Sequence, residues 1–206
     1  MQAKVRIDRL AKSASENKFI QVLSKTKTRD IFLIFSFTLI TAIGAQITIP
    51  VKPVPFTLQT MMVVLSGAFL GAKKGAYSQI TYLLLGCLGL PVFAQIPDSS
   101  IGFARLFGPT GGYLLAFPIG AFITGFLAKR FVRRQAGFKS YFGIIVSMLC
   151  GELVILLFGS MYLGIVYLKD VKEALIAGGA VFLIWAVVKD IIGAGIYFGI
   201  TKRRTK

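Results

Sequence analysis

The stretch 182-FLIWAVVKDIIGAGIYFGI-200 decides the class of this protein. Without Lys189 and Asp190 it is an apolar segment of the length that crosses a bilayer as a helix, since a spanning helix needs about 20 mostly apolar residues. The two charged residues are adjacent and lie at its middle. A charged side chain at the centre of a membrane helix costs about 2.5–3.5 kcal/mol on insertion scales, so the pair predicts a functional site inside a membrane protein.

Five more apolar runs accompany this one in a chain of 206 residues that is 55% hydrophobic, with a mean hydropathy of +0.75. Each run meets or approaches the length of a membrane span. The sequence therefore predicts an all-α integral membrane protein, a bundle of six transmembrane helices within residues 31–201, flanked by a basic N-terminal segment, 1–30, and a basic tail, 202–206. The six runs are 31–51, 53–72, 75–97, 106–128, 140–168 with Glu152 inside it, and 174–200.

Lysine and arginine are distributed unevenly along the chain, which has a formal net charge of +16. Nineteen of the 24 basic residues flank the first and last runs or follow the second and fourth, whereas four lie in the loops of the opposite side. Because basic loops remain in the cytoplasm, this asymmetry predicts a multi-pass protein of the cytoplasmic (inner) cell membrane with both termini inside. Lipid head groups then account for the charge, and no nucleic-acid partner is expected.

The composition disfavours several kinds of chemistry. The chain has no histidine, so the usual catalytic base and most transition-metal sites are not expected, and we predict neither an enzyme nor a cofactor or metal. Cys87 and Cys150 lie inside apolar runs, which favours buried small hydrophobic residues over a disulfide. Segment 1–30 is too charged for a signal peptide, and it indicates either a helix on an anionic membrane surface or a disordered basic tail.

The two predicted outer loops differ from solvated linkers. The first contains 50-PVKPVPFTLQT-60, which prolines make stiff, and the second, 89–110, is rich in Gly and Pro yet carries three phenylalanines. Apolar residues in such a loop indicate that it folds over a cavity. In 108-GPTGGYL-114, which opens the next helix, Gly111 and Gly112 either leave backbone N–H groups open to a ligand or serve helix packing.

Four stretches in this order resemble the BioY family, the biotin-binding S-components of energy-coupling factor (ECF) transporters. They are GAQITIPVKPVPFTLQT, LSGAFLGAKKGA, YLLLGCLGLPVFA and GPTGGYLLAFPIGAF. The resemblance implies six transmembrane helices, a biotin cavity near the outer face and, in many members, coupling to a T-component and two ATPase subunits. It therefore implies high-affinity biotin uptake, by an ECF-type complex or by a solitary transporter, with another small vitamin-like anion as the alternative substrate.

The resemblance also implies where a partner docks. Helix 1 is the family's docking element, and Thr41 and Ala45 form a small-residue pair at i, i+4 that permits close helix approach. We expect these two residues to lie on an exposed face of helix 1 that receives the T-component and ATPase subunits.

The last helix departs from the family pattern. The family usually has Asp-x-x-Lys there, whereas 182-FLIWAVVK-189 keeps Phe182 and Lys189 but has Ala186 in the place of the aspartate. Asp190 lies one turn beyond Ala186 on the same helix face. It therefore either replaces the missing carboxylate in substrate binding or merely compensates Lys189 or lies near the inner surface.

The charged residues of the apolar runs and outer loops are the first candidates for substrate binding. Lys189 is expected to pair with the biotin carboxylate; the alternatives are a structural ion pair with Glu152 or Asp190 and a side chain that snorkels to an interface. Glu152 either accepts from the ureido N–H groups of biotin, balances Lys189, or is a protonated, neutral buried acid. Arg105, in the second outer loop, is a second candidate for the carboxylate, and the alternative is a solvated loop side chain.

Uncharged side chains complete the predicted site. The apolar bicyclic body of biotin needs an aromatic and aliphatic wall, although aromatic membrane belts are the alternative role for such residues. Candidates for that wall are Tyr82, Phe93, Phe107, Tyr113 and Trp185. Gln59 and Gln95 are weaker candidates for hydrogen bonds to the ureido group.

Two other classes of membrane protein compete with a transporter. A membrane-embedded hydrolase without histidine would need a Ser–Lys or carboxylate-based site, and the sequence has no motif of that kind. A channel would carry a polar stripe along several helices, whereas the polar groups here concentrate at one end of the bundle and in the last helix.

Overall fold

The computed structural model describes residues 27–95, 100–131 and 138–203; segment 1–26, where the predicted surface helix or tail falls, lies outside them. Lys27–Leu33 belong to one unit of the chain, and residues 34–203 to a second unit, which holds the core and the cavity. The described residues contain seven α-helices: α1 Lys27–Gln46, α2 Gln59–Leu70, α3 Ala72–Cys87, α4 Gly111–Phe131, α5 Phe138–Tyr162, α6 Val171–Leu175 and α7 Val181–Arg203.

Four helical stretches of the described residues are long and apolar enough to cross a membrane, which confirms a helical multi-pass membrane protein. They are Lys27–Gln46, Gly111–Phe131, Phe138–Leu168 and Val171–Thr201. The last two reach 31 residues because π-helical turns extend the α-helices. Leu163–Leu168 continues α5, and Ile176–Ala180 joins α6 to α7.

The second and third helices are shorter than the apolar runs that predict them. α2 has 12 residues and α3 has 16. The remainder of each run forms loop structure: the end of the α1–α2 connection precedes α2, and 88–95 follow α3. Buried apolar loop residues such as Val54 and Phe93 explain the extra length of the runs, because a loop that packs on the bundle is as apolar as a helix.

A small antiparallel hairpin joins α1 to α2. Its strands are β1 Thr48–Ile49 and β2 Phe56–Thr57, with Thr48 opposite Thr57. The Thr48 hydroxyl donates to the Ala45 carbonyl at 2.5 Å, and the Leu58 N–H donates to the Ile47 carbonyl at 3.2 Å. These bonds attach the proline-rich loop to the ends of both helices.

Glycines let α2, α3 and α4 approach backbone to backbone. Gly71 turns the chain between α2 and α3 with a φ of +80°, a conformation that favours glycine. A Cβ atom on Gly67 would lie 2.1 Å from the Ala121 carbonyl oxygen, and one on Gly125 would lie 2.3 Å from the Ala72 nitrogen. The small residues of this sequence therefore act as helix contacts, as is usual in membranes.

α4 is the central helix of the bundle and packs against α2, α3 and α5. It begins at Gly111, as the GPTGGYL motif predicts. A Cβ atom on Gly111 would lie 1.8 Å from the Leu106 carbonyl oxygen, and one on Gly112 would lie 2.2 Å from the Cβ of Tyr162. Both glycines thus serve packing, the second of the two predicted roles.

The expectation that Thr41 and Ala45 lie on an exposed face of α1 is wrong. Both residues are fully buried. The Thr41 hydroxyl accepts a hydrogen bond from Nε2 of Gln79 on α3 at 3.2 Å and donates to the Phe37 carbonyl at 2.8 Å. The same Gln79 Nε2 donates to Ser66 of α2 at 3.0 Å. The small pair therefore lets α1 pack on α2 and α3, and small-residue spacing alone did not reveal which helices it brings together.

The two cysteines, Cys87 and Cys150, are half-buried free thiols. The prediction of buried positions holds only in part, because both side chains are partly exposed.

Candidate functional site

A cavity of about 470 Å³ lies between the hairpin, the second outer loop, the start of α2 and the helices α4, α5 and α7. Its volume falls within the range of small-molecule sites. Residues of both predicted outer loops line it, as the apolar side chains of the second loop indicate. The lining is mainly apolar and includes Ile47, Val54, Leu114, Phe117 and Leu156.

Three polar side chains from three helices meet at one place on the cavity wall. Lys189 of α7 forms an ion pair with Glu152 of α5, with Nζ 3.0 Å from Oε1. Thr60 of α2 accepts a hydrogen bond from Lys189 and donates to Glu152 Oε1 at 2.6 Å. The alternative in which Glu152 balances Lys189 is therefore realised in this structure, and each charge offsets the other's cost of burial.

This ion pair retains free hydrogen-bonding capacity on both sides. Oε2 of Glu152 has no hydrogen-bond partner among the described residues, although the side chain is almost fully buried. An ammonium group has three N–H donors, and Lys189 uses two of them, on Thr60 and Glu152. A donor and an acceptor thus lie side by side in an ion pair whose net charge is zero.

Arg105 provides the second polar point of the wall. It lies in a short 3₁₀ helix, Gly102–Phe107, of the second outer loop and is only 4% exposed. Its Nη2 donates to the Ala94 carbonyl at 2.8 Å, and no ion pair compensates its charge among residues 27–95, 100–131 and 138–203. Burial lowers the pKa of the Arg105 guanidinium below its usual value, and the nearby Tyr82 opposes that shift. The group still keeps its proton at neutral pH.

Gln59 and Tyr82 stand next to Arg105. Nε2 of Gln59 donates to the Tyr82 hydroxyl at 2.7 Å, and that hydroxyl donates to the Val92 carbonyl at 2.9 Å. Gln59 lines the cavity, whereas Tyr82 is fully buried behind it. Tyr82 also contacts the edge of the Phe93 ring, at a centroid distance of 5.5 Å. These contacts fix the position of Gln59 and of the loop that carries Ala94, the acceptor for Arg105.

An aromatic group closes another part of the cavity. The rings of Phe56 in β2 and Phe182 in α7 stack at 4.3 Å between centroids, and Trp185 meets Phe56 edge-on at 6.1 Å. Tyr113 of α4 also lines the cavity, and its hydroxyl donates to the Gly178 carbonyl at 2.8 Å. The hairpin thus places the Phe56 ring against the two aromatic side chains of α7 that line the cavity.

Seven of the predicted site residues line this one cavity: Lys189, Glu152, Arg105, Gln59, Phe93, Trp185 and Tyr113. Three others do not. Tyr82 supports Gln59 from behind, Gln95 is exposed, and Asp190 is fully buried away from the lining. Phe107, a further candidate for the wall, is exposed and packs on Phe103 instead, at a centroid distance of 5.4 Å.

Sequence reasoning missed Thr60 and Phe56, and it assigned no role to Phe182. All three line the cavity. Thr60 and Phe56 belong to the quoted PVPFTLQT stretch, so their position beside Gln59 was the available signal. The helical spacing of Phe182 and Lys189, seven residues or two turns apart, also places both on one face of α7.

An apolar cavity with few polar groups, enclosed in a bundle of membrane helices, defines a membrane protein that binds a small molecule. The family model described as the BioY family matches residues 15–206, so the chain belongs to the BioY family.

Named relatives agree with this assignment. The chain is 40% identical over 163 residues to a protein of Pyrococcus horikoshii named "Probable biotin transporter BioY", covering 79% of this chain and 90% of that one. It is 39% identical over 166 residues to the "Biotin transporter BioY" of Thermotoga maritima, covering 81% and 92%. A crystal structure at 2.1 Å of the S-component for biotin from an ECF-type ABC transporter superposes with a TM-score of 0.76 at 27% identity, covering 86% of this chain and 93% of that one.

Proposed function

We propose that this chain binds biotin in the cavity and takes it up across the cytoplasmic membrane, as the S-component of an ECF-type transporter or as a solitary transporter. Membership of the BioY family and the similarity to proteins named biotin transporters support the substrate. The similarity to a biotin S-component supports the role in an ECF-type complex.

Two groups of polar side chains on the cavity wall differ in charge, and this difference supports the proposal. Lys189 and Glu152 form a neutral donor–acceptor pair, whereas Arg105 keeps an uncompensated positive charge among the described residues. Biotin has a neutral ureido ring, which both donates and accepts, and a carboxylate on a flexible chain. Each chemical end of the ligand therefore has one complementary partner.

This complementarity assigns an orientation to biotin. The ureido oxygen accepts from Lys189, a ureido N–H donates to the free Oε2 of Glu152, and the carboxylate pairs with Arg105. The bicyclic body then contacts the aromatic group of Phe56, Phe182 and Trp185. The expectation from sequence gave the carboxylate to Lys189. The Glu152 ion pair favours Arg105 instead, because an anion gains most from a cation that has no anionic partner.

We also propose the finer topology expected from the sequence, with six spans and both termini in the cytoplasm. α1, α2, α3, α4, α5 with its π-helical extension, and α6–α7 supply the six spans. The shorter α2 and α3 contribute the remainder of their crossing through the loops at their ends. The uneven distribution of basic residues supports the direction of insertion.

Coupling to a T-component and ATPase subunits is part of the same proposal. The similarity to an S-component of an ECF-type ABC transporter supports it. It does not use Thr41 and Ala45, because both are buried within the bundle.

Calorimetric titration of the detergent-purified protein with biotin tests the proposal. We expect saturable heat with one biotin bound per chain at micromolar protein. A structural analogue without the ureido ring, such as a straight-chain carboxylic acid, serves as the control and should give no heat. Absence of heat with biotin at micromolar concentrations would contradict the proposal.

A further inference from the structure

Asp190 is a charged residue of the membrane bundle that the proposed binding mode does not use. It follows Lys189 on α7, and the turn of the helix carries it about 100° away from the cavity face. It shares its face with Ala186 and Ala194, and all three are fully buried. Neither of its carboxyl oxygens has a hydrogen-bond partner among the described residues.

Such a group is rare, because buried polar side chains are almost always hydrogen-bonded. An ionised carboxylate without donors in a low-dielectric interior is very costly, whereas a protonated carboxyl is neutral. In a membrane bundle, ionisable residues of this kind commonly belong to pathways for ions, substrates or protons. Because Asp190 is buried without hydrogen-bond partners among the described residues, its carboxyl group must be either protonated or compensated by other charges nearby.

Two charged residues lie near Asp190 and determine which of its protonation states leaves the interior neutral. They are Glu152 and Lys189, both within electrostatic range. Two carboxyls and one ammonium thus share this part of the bundle, and Lys189 is already paired with Glu152 at 3.0 Å. With a proton on Asp190 the three groups sum to zero charge. Without it they carry one uncompensated negative charge in the interior.

The other elements packed against α7 bring few titratable groups. α2 and the π-helical turn Ile176–Ala180 contain none. α5 carries Lys139, Tyr141, Cys150, Glu152 and Tyr162. Of these, Glu152 pairs with Lys189, and the Tyr141 hydroxyl donates to the Ile191 carbonyl at 3.1 Å. On α7 itself, Lys189 and Tyr197 are the titratable residues whose side chains the structure describes. No group of three or more Asp, Glu, Cys or His residues able to hold a metal ion occurs among the described residues.

We propose that Asp190 is a proton-binding site linked to the ligand cavity through the Lys189–Glu152 pair. The ligand binds to the form in which Asp190 is protonated. Ionised Asp190 makes the three-group cluster net negative, which draws Lys189 towards the carboxylates and repels an anionic ligand. Binding therefore takes up a proton wherever Asp190 is partly ionised in the empty protein. This inference rests on the proposed function, because biotin is the ligand that reports on it.

The test is calorimetric titration of the full chain with biotin, from about pH 6 to about pH 9.5, in pairs of buffers with different ionisation enthalpies. The wild-type protein should show proton uptake on binding, together with an affinity that falls by up to about tenfold for each pH unit once Asp190 ionises. Asp190→Asn should bind biotin without that proton uptake and without that fall. Glu173→Gln removes an exposed acid away from the cavity and should behave as the wild type does.

The outcomes separate this inference from the proposed function. Absence of biotin heat at every pH contradicts the function itself. Biotin heat without proton uptake in the wild type overturns the role of Asp190, even if Asp190→Asn does not fold. The same fall of affinity in wild type and Asp190→Asn assigns it to another group and also overturns the role. A dependence on Na⁺ in place of pH, measured against choline, would make the site a cation site and overturn the proton assignment.

Discussion

Lys189 and Glu152 compensate each other's charge inside the bundle. Either charge alone in the bundle would lack compensation, and removing one partner of a buried pair costs about 3–5 kcal/mol. Here the pair leaves Oε2 of Glu152 without a partner and one Lys189 N–H unused. The charged residues in the middle of an apolar span are thus tolerated because they neutralise each other while remaining able to bind a polar ring.

Thr60 is the residue that orients this pair, and it gives the first prediction. Its hydroxyl accepts from Lys189 and donates to Glu152. Thr60→Val keeps the shape but removes both hydrogen bonds, and a hydrogen bond to a charged group contributes about 1.5–3 kcal/mol. We expect biotin affinity to fall by roughly tenfold or more in calorimetry.

Thr60→Ser retains the hydroxyl and is the matched control, with an affinity close to that of the wild type. Equal affinity of Thr60→Val and the wild type would show that the pair is positioned without this hydroxyl.

Some residues of the site could be predicted from the sequence and others could not. Lys189, Glu152 and Arg105 could be predicted because charge in apolar surroundings is rare and costly. Only their positions, beside Gln59 and two turns before Lys189, set Phe56 and Phe182 apart from other phenylalanines, since composition does not tell a ligand wall from a lipid face. The exposure of Thr41 and Ala45 was predicted wrongly for a related reason. Their spacing indicates close helix packing but not whether the neighbouring helix lies inside or outside the chain.

Among the helix contacts, the one between α2 and α4 depends on a glycine, which has no side chain. Gly67 allows the backbone of α2 to approach Ala121, and a Cβ there would lie 2.1 Å from the Ala121 carbonyl oxygen. Gly67→Ala should therefore force the helices apart and cost about 1–3 kcal/mol. We expect a clearly lower midpoint in thermal unfolding of the detergent-solubilised protein.

Gly195→Ala on α7 is the matched control, because a Cβ at Gly195 meets nothing within 4 Å. Its midpoint should stay the same or rise slightly, as alanine favours a helix by about 0.5–1 kcal/mol over glycine. Equal midpoints for Gly67→Ala and Gly195→Ala would contradict the close contact of α2 and α4.

The apolar runs predicted that the helices exist, but not the residues at which they begin and end. The runs 53–72 and 75–97 overestimate α2 and α3 because residues such as Val54 and Phe93 are apolar and buried without being helical. A loop that covers a ligand cavity has the composition of a membrane span, so hydropathy merges the two. Proline and glycine in these loops mark the change of structure only approximately.

At the scale of the whole molecule, the distribution of charge and the position of the cavity give a joint prediction. The hairpin that lines the cavity carries exposed Lys52, on the side with few basic residues. A cysteine at Lys52, in a background with Cys87 and Cys150 replaced by alanine, should react with an impermeant thiol reagent in intact cells. Biotin should slow that reaction, since ligand holds the hairpin against the bundle.

A cysteine at Lys73, an exposed residue at the start of α3, is the control on the other side. It should react only after the cells are permeabilised, and biotin should not change its rate. Reaction at Lys73 but not at Lys52 in intact cells would reverse the topology.

In the proposed binding mode, Arg105 binds the biotin carboxylate while Lys189 and Glu152 bind the ureido ring. The affinities of Arg105→Met and Lys189→Met for biotin and for biotin amide, whose carboxylate is neutralised, distinguish these two roles. Loss of one partner of a close charge pair costs about 2–5 kcal/mol, or roughly thirtyfold or more in affinity. Arg105→Met should lose that much for biotin and little for biotin amide, whereas Lys189→Met should weaken both ligands alike. Selective loss of biotin in Lys189→Met, with Arg105→Met affecting neither ligand selectively, would place the carboxylate at Lys189 and contradict the account.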